Sequence, residues 1–360
     1  MKRIAINTGG GDAPGLNAVI RAIVLSSLNR GWEVYGIRRG YDGLFSEGGV
    51  VRLDQDAVRG ITHLGGTILG TTNRGSPLEK PFTLPDGTVT TVDHSDEIVD
   101  AFGAHGIDGL IAIGGDGSLK IASRLHAKGL PVIGVPKTID NDLRATQVTF
   151  GFGTAVQTAT DALDKLHSTA EAHQRVFVVE LMGRNTGWIA LHAGLAGTVD
   201  VILIPEIPYD LGPVCAKIQD RYRRGREFAL VVVAEGAFER GGEPAYVTKA
   251  KPGGAPRLGG VAEKLAGEIA ELTGRETRSL VLGHLQRGGP PNAEDRLLSL
   301  RFGAAAVDFA AQGKWGCMVA LNPPNVEAVP LANAIGGLKT VPVDGDLVRT
   351  ARSLGVSFGD

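Results

Sequence analysis

Residues 137–142, Lys-Thr-Ile-Asp-Asn-Asp, put a lysine, a threonine, an asparagine and two aspartates within six positions. An apolar run at 131–135 precedes them, reads as a strand, and stops at Pro136. In open α/β sheets, ligands bind beyond the carboxyl ends of strands. A carboxylate in that place can accept a proton from a substrate hydroxyl, and a second can help hold a metal ion. A solvated turn rich in Asp and Asn has the same composition.

Two glycine turns share its character. Residues 8–15, Thr-Gly-Gly-Gly-Asp-Ala-Pro-Gly, follow a first strand and precede a helix expected from Leu16. Strand, glycine turn and helix together cradle phosphate, because free amides and the helix dipole face the anion. A tight turn that merely needs positive φ gives the same signature. Residues 113–118, Ile-Gly-Gly-Asp-Gly-Ser, repeat the device, with a helix expected from about Lys120. Asp116 is suited there to Mg2+ facing a phosphate tail. Such a turn supports nucleotide phosphotransfer without naming the acceptor. The run 65–74 ends in Arg74, either a phosphate contact or an exposed loop arginine.

The second half of the chain supplies cations. Arg175, Arg184, Arg278, Arg287 and His284 fall at starts or ends of expected strands. Arginine suits bidentate contact with phosphate. Surface charge explains any one of these positions, but less easily all of them at equivalent sheet edges.

The elements that must position these residues alternate in a simple rhythm. A short apolar run leads to a glycine turn and then an amphipathic helix, the pattern of βαβ units and a parallel sheet. Strands are expected at 4–7, 34–37, 109–113, 132–135, 176–181, 201–204, 230–234, 280–282 and 318–321. Several are apolar throughout, as strands covered on both faces are. Leu16, Val19, Ile20, Ile23 and Val24 form one stripe at helical spacing. The most loop-like segment is 251–256.

Composition bounds the rest. A chain of 360 residues with 43% apolar content has room for two domains and their cores. A net charge of −2 offers no basic field for nucleic acid or membrane. Two cysteines make no disulfide framework, and the chain enters a strand at once, so a cytoplasmic setting is expected. The 52 glycines are about twice the usual ~7% and are scattered, which points to many tight turns.

With these motifs assembled, the chain resembles the 6-phosphofructokinase family from Arg3 to about Leu321. The resemblance rests on GGDAPG at 10–15, GGDGS at 114–118, TIDND at 138–142, HQR at 173–175, MGR at 182–184, AEG at 234–236, GRETR at 274–278 and GHLQRGG at 283–289. It implies phosphoryl transfer from MgATP to the 1-hydroxyl of fructose 6-phosphate in glycolysis. Asp140 would be the general base, with Thr138, Lys137 and Arg184 beside it. Asp116 and Asp142 would hold Mg2+. Gly11, Arg74, Gly115, Asp116, Gly117 and Ser118 would line the donor site. Thr138, Ile139, Asp140, Met182, Gly183, Arg184, Glu235, His284, Leu285, Gln286 and Arg287 would hold the sugar phosphate. Arg175 and Arg278 would reach the site of a neighbouring subunit, which makes the active form a homodimer or homotetramer.

Two positions point to different donors. Glycine at 117 resembles ATP-using members, because the aspartate of pyrophosphate-using members would occupy the α-phosphate position. Lys137 resembles the pyrophosphate users. A lysine beside the terminal phosphates repels neither donor, so ATP is expected. The other readings are a pyrophosphate-dependent enzyme, a kinase of another sugar phosphate such as sedoheptulose 7-phosphate, and an inactive regulatory subunit. Arg21 matches an effector-binding arginine of classical bacterial members, but Leu25 and His167 stand where two more are expected, so effector control is expected to be weak. The implied fold is two Rossmann-like three-layer α/β/α domains with mainly parallel sheets and the active site in the cleft between them. The donor domain is expected at 1–150 plus about 284–322 and the sugar-phosphate domain at 151–283. Residues 323–360 are expected to pack on the first.

Overall fold

The structure is a computed structural model that describes all residues except 1, 73–75, 85 and 249–256. The first half runs β1 (Arg3–Thr8), α1 (Leu16–Leu28), β2 (Glu33–Ile37), β3 (Val50–Arg52), a β4 (Lys80–Thr83) and β5 (Val89–Val92) hairpin, α2 (Ser95–Ala104), β6 (Gly109–Gly114), α3 (Asp116–Ala127) and β7 (Val132–Pro136). Next come α4 (Phe152–His173), β8 (Val176–Leu181), α5 (Trp188–Ala196), β9 (Val201–Leu203), α6 (Leu211–Arg223), β10 (Ala229–Ala234), β11 (Tyr246–Thr248), β12 (Arg257–Leu258), α7 (Val261–Thr273) and β13 (Thr277–Val281). The chain closes with α8 (Ala293–Ala311), β14 (Cys317–Asn322), β15 (Asn325–Pro330), α9 (Leu331–Ile335) and α10 (Asp346–Ser353).

A seven-stranded sheet has the order β15-β14-β7-β6-β1-β2-β3. It is parallel except at its two edges, where β3 and β15 pair antiparallel. Side chains alternate across a strand, and both faces are apolar. Ile4, Ile6, Ile111, Ile113, Ile133 and Val135 meet Leu16, Ile20, Ile23, Phe302 and Ala306 of α1 and α8 on one face. Ala5, Leu110, Ala112 and Val132 meet Ile98, Phe102, Ala122 and Leu125 of α2 and α3 on the other.

A four-stranded parallel sheet has the order β13-β8-β10-β9. Val179, Leu181, Leu230 and Val232 pack toward α4 and α5. Val178, Val231 and Val233 pack toward α6 and α7. The two three-layer units agree with the fold class read from the sequence.

Three local differences have physical reasons. The strand expected at 280–282 begins at Thr277, because it pairs in register with β8 from Val176 onward. As an edge strand it tolerates Arg278 and Ser279, which mask it in a hydrophobicity scan. The helix expected from Lys120 begins at Asp116, one turn earlier, since a glycine-rich first turn hides a helix start. Residues 323–360 do not pack wholly on the first unit. β15 joins the first sheet, but Val348, Ala351 and Phe358 enter the core of the second. There the amide of Ile202 donates to Ser357 O (2.9 Å).

Among the described residues, no helix is long and apolar enough to cross a membrane.

Candidate active site

β1 and β6 are hydrogen-bonded neighbours, so their two glycine turns emerge side by side at the carboxyl edge of the first sheet. The Gly9 amide donates to Ile113 O (2.9 Å), and that of Gly10 to Thr72 O (3.0 Å). The Thr71 hydroxyl donates to Gly10 O (2.6 Å). The early start of α3 places Gly117 and Ser118 in its first turn, where backbone amides lack helical partners and carry the positive end of the dipole. A cavity of about 760 Å3 opens here. Gly11, Gly115, Asp116, Gly117, Ser118, Lys137, Thr138, Asp140, Asp142 and Arg287 all line it. A Cβ built on Gly117 meets nothing within 4 Å, so this position faces open space.

Lys137 follows β7 and is buried, with its ammonium donating to Gly11 O. Burial chiefly, then nearby Arg287, pushes it down to about 8, against the pull of Asp12, Asp140 and Asp142. The loop behind it is tightly held. The Asp140 amide donates to Thr138 Oγ1 (3.1 Å), and the Thr149 hydroxyl to Thr138 O (2.7 Å). Asn141 sits at φ 51° in the left-handed region that Asn tolerates. Its turn lets Asp140 and Asp142 both face the cavity while its own amide points inward to accept from Thr149 N (3.2 Å).

Asp140 Oδ1 is buried and has no hydrogen-bond partner among the described residues. Burial first, then the charge of Asp142, pushes Asp140 up to about 6, while Arg287 and Lys137 oppose. Such a carboxylate is poised to take a proton. Asp142 is raised as well, mainly by burial and further by Asp116, against a hydrogen bond from Thr138. Asp116 pairs with Lys120 (2.6 Å). Among the described residues no cluster of three His, Cys, Asp or Glu could hold a metal ion. Asp116 and Asp142 nonetheless fit Mg2+, which takes one or two carboxylates and fills its shell with water and substrate phosphates.

The second sheet brings its own carboxyl edge to this cleft. β8 ends at Leu181, and the following loop touches the aspartate loop through the Thr186 hydroxyl, which donates to Asp140 O (3.3 Å). Gly183 lies at φ 146°, and a Cβ on Gly236 would lie 2.0 Å from Arg184 O. Glycine at both positions is what lets the loops after β8 and β10 nest together. Glu235 follows β10 and is pushed up to about 7 by burial, then by Asp140 and Glu180. Arg287 Nη1 donates to Asp12 O (3.1 Å) and so joins the second half of the site to the first glycine turn. Met182 is buried and Arg184 is exposed beside it.

Not every expected residue joins this cleft. His284 and Leu285 line a separate cavity of about 810 Å3 with Thr158 and Lys165. Gln286 is fully buried, its amide donating to Gly283 O (3.1 Å), and Ile139 is a core residue. Neither side chain lines the donor cavity. Arg175 and Arg278 stand at the amino ends of β8 and β13, the far ends from Met182 and Glu235. There they share Glu276, at 2.9 and 2.6 Å. His167 is engaged internally, with Nε2 2.7 Å from Gly197 O. Arg74 lies outside the described residues.

Five residues around the site had no signal in the sequence. Asp295 of α8 accepts from Gly151 N (2.9 Å), Thr154 N (2.7 Å) and the Thr154 hydroxyl (2.6 Å), and so caps α4. Glu206 accepts from Gly187 N (3.1 and 3.0 Å) and Val341 N (2.8 Å) at the start of α5. Lys339 reaches the aspartate loop from the C-terminal segment. Glu79 and Thr91, flanking and within the β4–β5 hairpin, also line the donor cavity.

The two main sheets define an α/β protein with a charged cleft of about 760 Å3 at their carboxyl edges. The chain matches the family described as phosphofructokinase over residues 3–310, and it belongs to that family. It is 51% identical to an ATP-dependent 6-phosphofructokinase of Chloroflexus aurantiacus over 100% of this chain and 98% of that one. It is 48% identical to a pyrophosphate–fructose 6-phosphate 1-phosphotransferase of Amycolatopsis mediterranei over 95% and 97% of the two chains. A T-state crystal structure of Pichia pastoris phosphofructokinase superposes with TM-score 0.80 at 28% identity, covering 98% of this chain and 36% of that longer one.

Proposed function

We propose that this chain transfers the terminal phosphoryl group of ATP to the 1-hydroxyl of fructose 6-phosphate, giving fructose 1,6-bisphosphate and ADP. One observation carries the reading. Asp140 lines the same cavity as the two glycine turns and Lys137, and its buried Oδ1 has no hydrogen-bond partner among the described residues. Asp140 takes the hydroxyl proton as the oxygen attacks phosphorus. Amides of Gly11 and of the 115–118 turn hold the phosphate chain, and Lys137 offsets charge on the leaving phosphate. Asp116 and Asp142 would hold Mg2+, which when bound neutralises phosphate charge and orients the donor. Met182, Gly183, Arg184, Glu235 and Arg287 hold the sugar phosphate, and His284, which lines the separate cavity, would have to turn toward it to join them.

Relatives of similar identity use either donor, so identity to them does not choose. Gly117 supports ATP, because the space beyond its Cα is open to an α-phosphate. Lys137 supports the second reading, pyrophosphate. Initial rates with fructose 6-phosphate and Mg2+, with ATP and pyrophosphate at equal concentration, test this. Turnover with pyrophosphate alone overturns the ATP assignment. Activity with neither donor directs the search to sedoheptulose 7-phosphate. Inactivity with every sugar phosphate leaves the regulatory-subunit reading, which the presence of Asp140 and Asp116 speaks against.

The working form is a homodimer or homotetramer in the cytoplasm. Its donor domain is 1–150 with about 284–335, and its sugar-phosphate domain is 151–283 with the C-terminal helix. β13 supports the assembly, since this edge strand exposes Arg278, Leu280 and Val281. Arg175 and Arg278 would complete a neighbour's sugar-phosphate site. Mixing inactive Arg278→Ala and Asp140→Asn subunits should restore part of the activity, and an inactive mixture overturns the shared site. Effector control is weak, and a several-fold change in fructose 6-phosphate affinity on adding ADP or phosphoenolpyruvate overturns that.

A further inference from the structure

Lys339 is the residue whose contacts the proposed reaction does not yet use. It lies in the segment between α9 and α10, far in sequence from the aspartate loop. An antiparallel bridge between Leu143 and Leu338 holds that segment against the loop. The Lys339 amide donates to Asp142 O (2.8 Å). Its ammonium donates to Asn141 Oδ1 (2.8 Å), Thr146 O (3.1 Å) and Gln147 O (2.9 Å). An ammonium has three donors, and all three are taken. Lys339 therefore has no proton left for a substrate phosphate. On its other side, Trp188 Nε1 donates to Lys339 O (2.7 Å), and the ammonium lies 5.8 Å from the Trp188 ring centroid.

We infer that Lys339 is a positioning residue for phosphoryl transfer: it fixes the left-handed Asn141 between Asp140 and Asp142 and so aims both carboxylates into the donor cavity. Asn141 holds its turn by one side-chain oxygen, shared between Thr149 N and Lys339. Removing the ammonium leaves the carbonyls of Thr146 and Gln147 without this donor and frees the Asn141 amide to rotate. The two aspartates flank that pivot, so a small rotation moves both relative to the glycine turns. The C-terminal segment thereby becomes part of the active site without touching substrate. The inference rests on the roles proposed above for Asp140 and Asp142.

The test is a double-mutant cycle on the full chain with Lys339→Met and Asn141→Gly. Methionine keeps the packing stem, and glycine keeps the left-handed backbone. Displacements of about 1 Å can cost ~10²-fold in rate. A kcat fall of roughly that size is therefore expected for Lys339→Met, with the KM for fructose 6-phosphate changed less than ~3-fold. The double variant should be no slower than the slower single, because both act on one turn. A kcat within ~3-fold of the parent, or additive losses, overturns the inference. So does a kcat loss that only follows the folded fraction in a parallel urea titration. If Lys339→Met does not fold, Asn141→Gly alone carries the same kcat-against-KM expectation. Asp140→Asn separates the two readings, all rates being taken with both donors. Activity kept by Asp140→Asn but lost in Lys339→Met rejects the base assignment and retains the clamp. The reverse pattern rejects the clamp and retains the base.

Discussion

Replacing Asp140 by Asn should make the protein catalytically poor and thermodynamically sturdier at once. Burial and the neighbouring Asp142 raise the folded-state pKa of Asp140 from 3.8 to about 6. At ~1.36 kcal/mol per pH unit, that rise corresponds to roughly 3 kcal/mol. The sign follows from linkage: an acid with a raised folded pKa binds its proton more tightly when folded. The fold therefore loses stability as pH climbs from 3.8, and the full penalty is in force above about 6. Asparagine is nearly isosteric and carries no charge, so it removes the penalty at every pH. Urea unfolding at fixed subunit concentration, without nucleotide or Mg2+, should show Asp140→Asn more stable than the parent by up to about 3 kcal/mol at pH 8. At pH 5 the gap should shrink to about half. In the same preparation kcat should fall by at least ~10²-fold. A variant less stable at pH 8, or a gap that narrows as pH rises, refutes the account of Asp140 as a buried, charged base. Near-normal turnover removes it from proton transfer.

Three other outcomes follow from distances at the site. Gly117→Asp has room for its side chain but sets a carboxylate beside the donor. At about 4 Å and an effective dielectric near 20, repulsion is ~4 kcal/mol per charge pair, so kcat/KM for ATP should drop by ~10² or more. Rates with pyrophosphate should change far less, and equal losses with both donors would contradict the donor argument. Gly236→Ala puts a Cβ 2.0 Å from Arg184 O. It should raise the KM for fructose 6-phosphate about tenfold or more while the KM for ATP moves little, because one contact arm of a phosphate site is worth ~1.5–3 kcal/mol. Asp295→Ala strips three donors at the start of α4 of their acceptor. The urea midpoint should fall by an amount equal to about 3 kcal/mol with an unchanged m-value.

The legible parts of this chain were those encoded locally. Unbroken apolar runs such as 109–113 and 132–135 and the helix stripe from Leu16 are each complete within a few residues, so strand, turn and helix could be read in place. The glycine turns and the 138–142 loop advertised chemistry by composition alone. Elements defined by a partner were not readable. β13 takes its start from its register with β8. β5 of the β4–β5 hairpin is exposed along its length, so no burial pattern marks it, though Glu79 and Thr91 border the donor cavity. Gln286 and Ile139 sat inside motifs and were counted with the site, but burial turned them inward.

By itself the sequence determined which groups are available: two phosphate-cradling turns, one aspartate loop, and arginines at strand ends, in the order of one family. The tertiary structure decided which of them meet. Adjacency of β1 and β6 merges the two turns into one cavity, because neighbouring parallel strands end at the same edge. Burial raises Asp140 and Glu235 and lowers Lys137, because desolvation depends on surroundings that no local pattern records. Packing of the last segment brings Lys339 to Asn141 across 198 positions. The residues around Lys339 carry no sign of its acceptors; those exist only once the chain has folded back on itself.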